Sequence, residues 1–210
     1  LSDHRPTVIV VSAPSGAGKS TILSRVLQAR EGLRFSVSHT TRPPRESEAE
    51  GVHYRFVDRA AFEKLVAQGR FLEYAEVHGH LYGSSIQEYE AAEREAKDLL
   101  LDLDVQGARS LRKRLKEVVT VFILPPSYED LVQRIRGRAQ DNEGAISRRL
   151  EAAEEEMKWY PEYDYVLVND DLDQCARNLS AIIEASRYRT SRMEPDATRV
   201  LETFPKRRRP

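Results

Sequence analysis

A run of mostly β-branched residues, Thr7-Val8-Ile9-Val10-Val11-Ser12, passes without a break into Ala13-Pro14-Ser15-Gly16-Ala17-Gly18-Lys19-Ser20. The run reads as a buried strand, the glycines as a turn, and Lys19 to Ala29 as the helix that follows. Successive backbone N–H groups in such a turn can wrap a polyphosphate, and the helix adds the positive end of its dipole. Gly16 and Gly18 let the backbone approach the ligand closely. Lys19 would reach the outer phosphates and Ser20 would ligate Mg²⁺. The pattern G-x-x-x-x-G-K-[ST] is met except at its first place, where Ala13 stands for glycine. Alanine is tolerated there if it keeps a negative φ. The segment therefore predicts a P-loop that holds the phosphates of a nucleoside triphosphate.

The rest of the chain alternates strand and helix. Phe35 to Ser38 and Tyr54 to Val57 read as short strands, separated by a charged, proline-bearing loop from Thr40 to Gly51. Asp58 caps a helix to Gln68 that Gly69 ends. Phe71 to Tyr82 reads as a hairpin turning at Gly79-His80, and Ser84 or Ser85 caps a helix to Lys97. Leu99 to Leu103, Val118 to Leu124 and Tyr165 to Val168 read as strands. Helices are expected at Gln106 to Leu115, from the capping box Ser127-Tyr128-Glu129-Asp130, at Gly144 to Lys158 and at Leu172 to Tyr188. Continuous apolar strands alternating with helices predict an α/β fold: a P-loop NTPase-like parallel sheet covered by helices on both faces. The tail from Glu194, ending in Lys206-Arg207-Arg208-Arg209, reads as frayed and solvated.

Composition excludes several classes of function. With 210 residues, 40% apolar and 32% charged, the chain suits one large domain with small insertions. A net charge of −1 gives no global field for nucleic acid or an anionic membrane. No run approaches the ~18 apolar residues of a membrane span, and Leu1 to Pro6 has no apolar signal region. The single cysteine, Cys175, excludes an internal disulfide and fits a reducing cytosol. His39, His78 and His80 lack a metal-ligand spacing.

Three further features bear on a second substrate. Ser38-His39-Thr40-Thr41-Arg42-Pro43-Pro44-Arg45 sets two arginines three apart on a stiff loop, and guanidinium forks suit a phosphate. Tyr54 and Tyr82 would add hydroxyl donors. The strand Leu99-Leu100-Leu101 runs into Asp102-Leu103-Asp104, so a carboxylate ends a buried strand, as in a Walker B site. Arg134, Arg136, Arg138, Arg148 and Arg149 flank the polar stretch 140–144. Most should pair on helix surfaces with Glu151, Glu154, Glu155 and Glu156. Two, one per helix, are expected to face the site and stabilise a transferring phosphoryl group.

With SAPSGAGKST, SVSHTTRPPR, GVHYRFV, FLEYAEVHGHLYGS, LLDLDVQGA, the RIRGR…ISRRL segment and YDYVLVND, the chain resembles the bacterial guanylate kinases from about Thr7 to Thr190. That resemblance implies transfer of the γ-phosphate of ATP to GMP with Mg²⁺, in the cytoplasm. It implies one domain over 6–190, with a core of about 6–35, 85–126 and 160–190. A small mixed α/β insertion for GMP would span about 36–84 and a helical lid about 127–159, leaving 191–210 as a flexible tail. ATP would meet Ala13 to Thr21, Asn169 and Asp170. Ser38, Arg42, Arg45, Tyr54 and Tyr82 would hold the GMP phosphate. Glu73 and Ser84 would read guanine, assisted by Asp104. Ser20 and, through water, Asp102 would serve the metal. Lys19, Arg42, Arg138 and Arg149 would be the catalytic cations.

Two rivals stand beside this reading. Another nucleoside monophosphate kinase would differ in the residues that read the base, and Glu73 with Ser84 favours guanine. A non-catalytic scaffold would be expected to have lost P-loop or lid residues that are present here. The last helix offers a face that a second copy could use.

Overall fold

The computed structural model describes residues 5–77, 79–138 and 143–204, the side chain of Arg138 excepted. His78, the 139–142 stretch and the 205–210 end of the basic tail, with Lys206-Arg207-Arg208-Arg209, lie outside the described residues.

The strand expected from the β-branched run is β1, Val8–Ser12, buried at every position. It lies at the centre of a five-stranded sheet with β2 (Leu33–Phe35), β7 (Asp98–Asp102), β8 (Val118–Leu124) and β9 (Tyr165–Val168). The order is β2-β7-β1-β8-β9, and every pairing is parallel. Parallel neighbours need crossover connections, so helices must cover both faces, and the side-chain alternation of each strand divides the core in two. Ile9 and Val11 pack with Leu100, Val121 and Ile123 against α1 (Lys19–Ala29) and α7 (Leu172–Ser186). Val8 and Val10 pack with Leu99 and Leu101 against α3 (Ile86–Arg94) and α4 (Val105–Arg114). Cys175 belongs to the first of these layers, so it is a core thiol, and burial pushes its pKa up to about 11.

A second sheet, β4-β3-β6-β5, stands apart from the first. It comprises β3 (His39–Thr40), β4 (Arg55–Phe56), β5 (Phe71–Val77) and β6 (His80–Ser85). Helix α2 (Arg59–Ala67) belongs to it, with the Asp58 carboxylate accepting from the Ala61 N–H at 2.7 Å. Phe62 of α2 stacks on Phe71 of β5 at 4.6 Å. A third apolar cluster joins α5 (Tyr128–Arg138) to α6 (Glu143–Met157) through Leu131, Ile135, Ile146 and Ala153.

Three local expectations change. Phe35 to Ser38 is not one strand but the passage between sheets: the Ser36 N–H still donates to Leu100 O at 2.9 Å, while Ser38 O already accepts from Arg55 N–H at 2.9 Å. Helix α3 stops at Arg94 rather than Lys97, because Ala96 takes a left-handed φ of 52° and the Lys97 N–H turns back to Ala92 O. The tail is not frayed between 194 and 202. It is helical in α8 (Thr190–Glu202), where Pro195, read from sequence as part of a loose end, sits inside the helix. Among the described residues no helix is long and apolar enough to cross a membrane.

Candidate active site

In a parallel sheet the strand ends that carry the chain's carboxyl direction open onto a crevice, and ligands collect there. Here β1 ends in the glycine turn, β7 ends in Asp102, and β9 runs into Asn169 and Asp170. Gly16 and Gly18 both take a φ of 91°, which side-chain-bearing residues rarely adopt. Close packing reinforces the requirement. A Cβ on Gly16 would sit 2.9 Å from Ile135 and 3.0 Å from Leu131, and one on Gly18 would sit 2.5 Å from Asn169 Nδ2. Ala96 is the sole non-glycine residue with positive φ among the described residues, so Ala13 meets the condition set for it.

Lys19 opens α1, and its ammonium pairs with the Asp102 carboxylate and reaches Leu103 O at 3.5 Å. Strand pairing of Val11 with Asp102 produces this meeting of residues 83 positions apart. Ser20 and Thr21 lie exposed on the first turn. A hydroxyl and a nearby carboxylate are hard oxygen donors, and Mg²⁺ typically takes one or two such protein groups, with phosphates and water completing its shell. Ser20 and Asp102 fit that role.

Asn169 is buried, and its Nδ2 donates to Ala17 O at 2.7 Å, which fixes the loop against the end of β9. Arg134 of α5 donates to the carbonyls of Asn169 (3.0 Å) and Ala17 (3.4 Å). These residues, with Gly16, Gly18, Asp170 and Leu172, line a cleft of about 310 Å³. Arg149 of α6 donates to Ser15 Oγ at 3.1 Å. Among the described side chains, one arginine from each helix therefore faces the loop. The one from α5 is Arg134, which the resemblance had passed over. Arg136 pairs with Glu143 instead, and the side chain of Arg138 lies outside the described atoms. Arg134 carries no sequence signal that separates it from its neighbours, since only the helix phase chooses which arginine faces inward.

The second sheet supplies another cluster. Arg42 donates through Nε to the Tyr82 hydroxyl (3.3 Å), through Nη1 to Pro43 O (2.8 Å) and through Nη2 to both Glu48 oxygens (2.8 and 2.9 Å). Its guanidinium lies 5.4 Å from the Tyr54 ring centre, and the two tyrosine rings are 6.0 Å apart. The Glu48 bond, ahead of that from Tyr82, holds Arg42 more firmly charged, and Arg42 in turn lowers the Glu48 pKa. Burial first, then the charge of Asp102, raises the Tyr54 pKa, so this hydroxyl feels the mouth of the core sheet. Arg45 is exposed and Ser38 half-buried.

Glu73 is 2% exposed. The antiparallel pairing of β5 with β6 brings it opposite Ser84, whose N–H (3.0 Å) and Oγ–H (2.7 Å) both donate to Oε1. Burial pushes its pKa up to about 7, against the Ser84 bonds, and the charge of Asp104 adds to the rise. Oε2 accepts no hydrogen bond from the described residues. Asp104 caps α4 by accepting from the Gly107 N–H at 2.8 Å. In the structure Oε1 is filled by Ser84, and the Ser84 hydroxyl proton is committed to it.

A phosphate loop at the mouth of a parallel sheet, with an acidic strand end beside it and two arginines leaning over it from a helix pair, marks the chain as a P-loop kinase. Comparison with known proteins narrows the class. The guanylate kinase family model matches residues 5–186. The chain is 50% identical to the guanylate kinase of Alkalilimnicola ehrlichii over 189 residues, 90% of this chain and 93% of that one. It is 48% identical to that of Neisseria gonorrhoeae over 90% of this chain and 92% of the relative. The crystal structure of guanylate kinase from Anaplasma phagocytophilum superposes with a TM-score of 0.75 at 34% identity, covering 90% of each chain. The chain belongs to the guanylate kinase family.

Proposed function

We propose that the enzyme transfers the γ-phosphoryl group of ATP to GMP, giving ADP and GDP, with the residues described above in defined roles. The observation that carries the choice of guanine is the buried Glu73 carboxylate, anchored by Ser84 through one oxygen and unclaimed on the other. Guanine presents two adjacent donors, N1–H and the 2-amino group. Glu73 Oε2, with Asp104 beside it, supplies acceptors for that pair. Adenine would turn an unprotonated N1 toward the carboxylate and leave a desolvated charge unpaired.

The rest of the chain divides accordingly. The second sheet and α2, about 36–84, form the GMP-binding insertion. Helices α5 and α6, about 127–159, form the lid over a core of about 6–35, 85–126 and 160–190. Ala13 to Thr21 cradle the ATP phosphates, Asn169 and Asp170 border the nucleotide cleft, and Ser38, Arg42, Arg45, Tyr54 and Tyr82 take the GMP phosphate. Lys19 exchanges Asp102 for phosphate oxygens as ATP enters. Ser20 and, through water, Asp102 would hold Mg²⁺, which would supply charge neutralisation on the phosphate oxygens. Arg149, together with Arg138 by family resemblance, meets the charge that spreads over the transferring group. No protein nucleophile is needed, because direct in-line transfer depends on positioning and electrostatics.

The test is ADP release from ATP with GMP, AMP, CMP, UMP or dTMP as acceptor, with Lys19→Met as the inactive control. Strong preference for GMP, abolished in Lys19→Met while the melting temperature holds, is the expected result. Equal use of another monophosphate, or near-normal turnover by Lys19→Met, would overturn the reading.

A further inference from the structure

Glu48 is absent from the set of residues drawn from the sequence, yet it sits at the centre of the arginine cluster. Its carboxylate takes two hydrogen bonds from Arg42 Nη2 at 2.8 and 2.9 Å. The same carboxylate accepts the Arg45 backbone N–H at 2.9 Å, and the Glu48 N–H returns to Arg45 O at 3.0 Å. One side chain therefore ties down both arginines, Arg42 through its guanidinium and Arg45 through its backbone. The Arg42 and Glu48 side chains are 14% and 12% exposed, so the pair is largely shielded from water.

Nε of Arg42 is spent on Tyr82, Nη2 on the two Glu48 oxygens and one Nη1 hydrogen on Pro43 O. One Nη1 hydrogen remains. Because the Tyr82 oxygen accepts from Arg42, its own hydrogen is directed elsewhere. The guanidinium thus works on the pocket twice, by its remaining N–H and by orienting a tyrosine donor. Both effects depend on its plane, and Glu48 sets that plane.

We infer that Glu48 is a positioning residue for the acceptor phosphate, holding Arg42 and the Arg45 turn in the binding geometry before substrate arrives. An arginine on a free four-bond stem would have to lose its rotamer freedom on binding; one already clamped has lost it in advance. The inference rests on the proposed GMP site and makes a prediction of unusual sign. On charge alone, removing a carboxylate next to a dianionic phosphate should tighten binding. If Glu48 positions Arg42, removing it weakens binding instead.

The experiment measures KM for GMP, KM for ATP, kcat and melting temperature for wild type, Glu48→Ala and Glu48→Gln. Glu48→Ala should raise KM for GMP by about tenfold or more, as expected for losing charge-assisted bonds. KM for ATP should stay within about twofold and kcat at saturating GMP within about threefold, the split expected of uniform ground-state binding. Glu48→Gln keeps the shape and one acceptor oxygen and should recover part of the loss. A KM for GMP that falls or stays unchanged in Glu48→Ala overturns the inference, as does a parallel loss in both substrates and in melting temperature, which marks a merely structural role. If wild type itself fails to phosphorylate GMP, it is the proposed function that fails.

Discussion

Changing Glu73 to glutamine should make the protein more stable and less active at the same time, and the structure sets the size of both effects. The carboxyl is 2% exposed and its pKa rises from the ordinary 4.5 to about 7. At about 1.4 kcal/mol per pH unit, ionising it in the folded chain costs about 3 kcal/mol. The folded state binds the proton more tightly than the unfolded state does. Wild-type stability is therefore undiminished below 4.5 and declines as pH climbs to about 7. Glutamine carries no such penalty. The variant should gain about 3 kcal/mol at pH 8 and only about 1 kcal/mol at pH 5, a melting shift of roughly 6–12 °C at pH 8 for a chain of this length. Its carbonyl must take the place of Oε1, because two Ser84 donors point there. The amide nitrogen then occupies the Oε2 position and meets guanine's donors with a donor. Loss of a charge-assisted bond, about 1.5–3 kcal/mol, lowers kcat/KM for GMP by about 10–100-fold, with KM for ATP unchanged. Wild-type kcat/KM for GMP should also rise with pH through about 7, an ionisation that the glutamine variant lacks. Scanning calorimetry at pH 5 and 8 with coupled ADP release tests all of this. Wild-type activity on GMP would refute the role of Glu73 as guanine reader, and an equal melting shift at both pH values would refute the burial argument.

Two other variants probe the remaining parts of the site. Arg149→Ala should lower kcat by about 10³-fold or more while GMP binding holds, the signature of a group acting in the transition state; Arg148→Ala is the control, exposed on α6 and expected to be mild, and a kcat for Arg149→Ala within threefold of wild type would reduce it to a surface partner. Gly107→Ala sits inside α4, where alanine should stabilise by about 0.5–1 kcal/mol. Its Cβ would also crowd Glu73 Oε2 and Asp104 Oδ1, each at 3.2 Å. A higher melting temperature with a severalfold higher KM for GMP is expected, and an unchanged KM would show that the two carboxylates can move aside.

The local signals were strong where one stretch of chain contains the whole physical cause. The β-branched run and glycine turn place β1, the P-loop and α1 because strand burial, positive φ and helix start are all set within residues 7–29. Asp58 and Ser85 cap the helices they precede for the same reason: donor and acceptor lie two or three positions apart. The residues attributed to the site by family resemblance are carried by motifs of similarly short range, and the comparisons support the family itself.

What only the tertiary structure decided involves residues distant in the chain. The tail from Glu194 reads as a frayed chain end, yet it continues as helix to Glu202. The split of residues 33–40 between two sheets depends on which partner strand lies nearest, and no residue in that stretch encodes it. Strand register set Lys19 against Asp102, and β5–β6 pairing filled Oε1 of Glu73 with Ser84. Helix phase turned Arg134 rather than Arg136 toward the loop, and a tight turn delivered Glu48 to Arg42. Residue type states which bonds a side chain can make. Which of those bonds are already taken when the substrate arrives depends on neighbours brought in by packing, and the sequence does not show who those neighbours are.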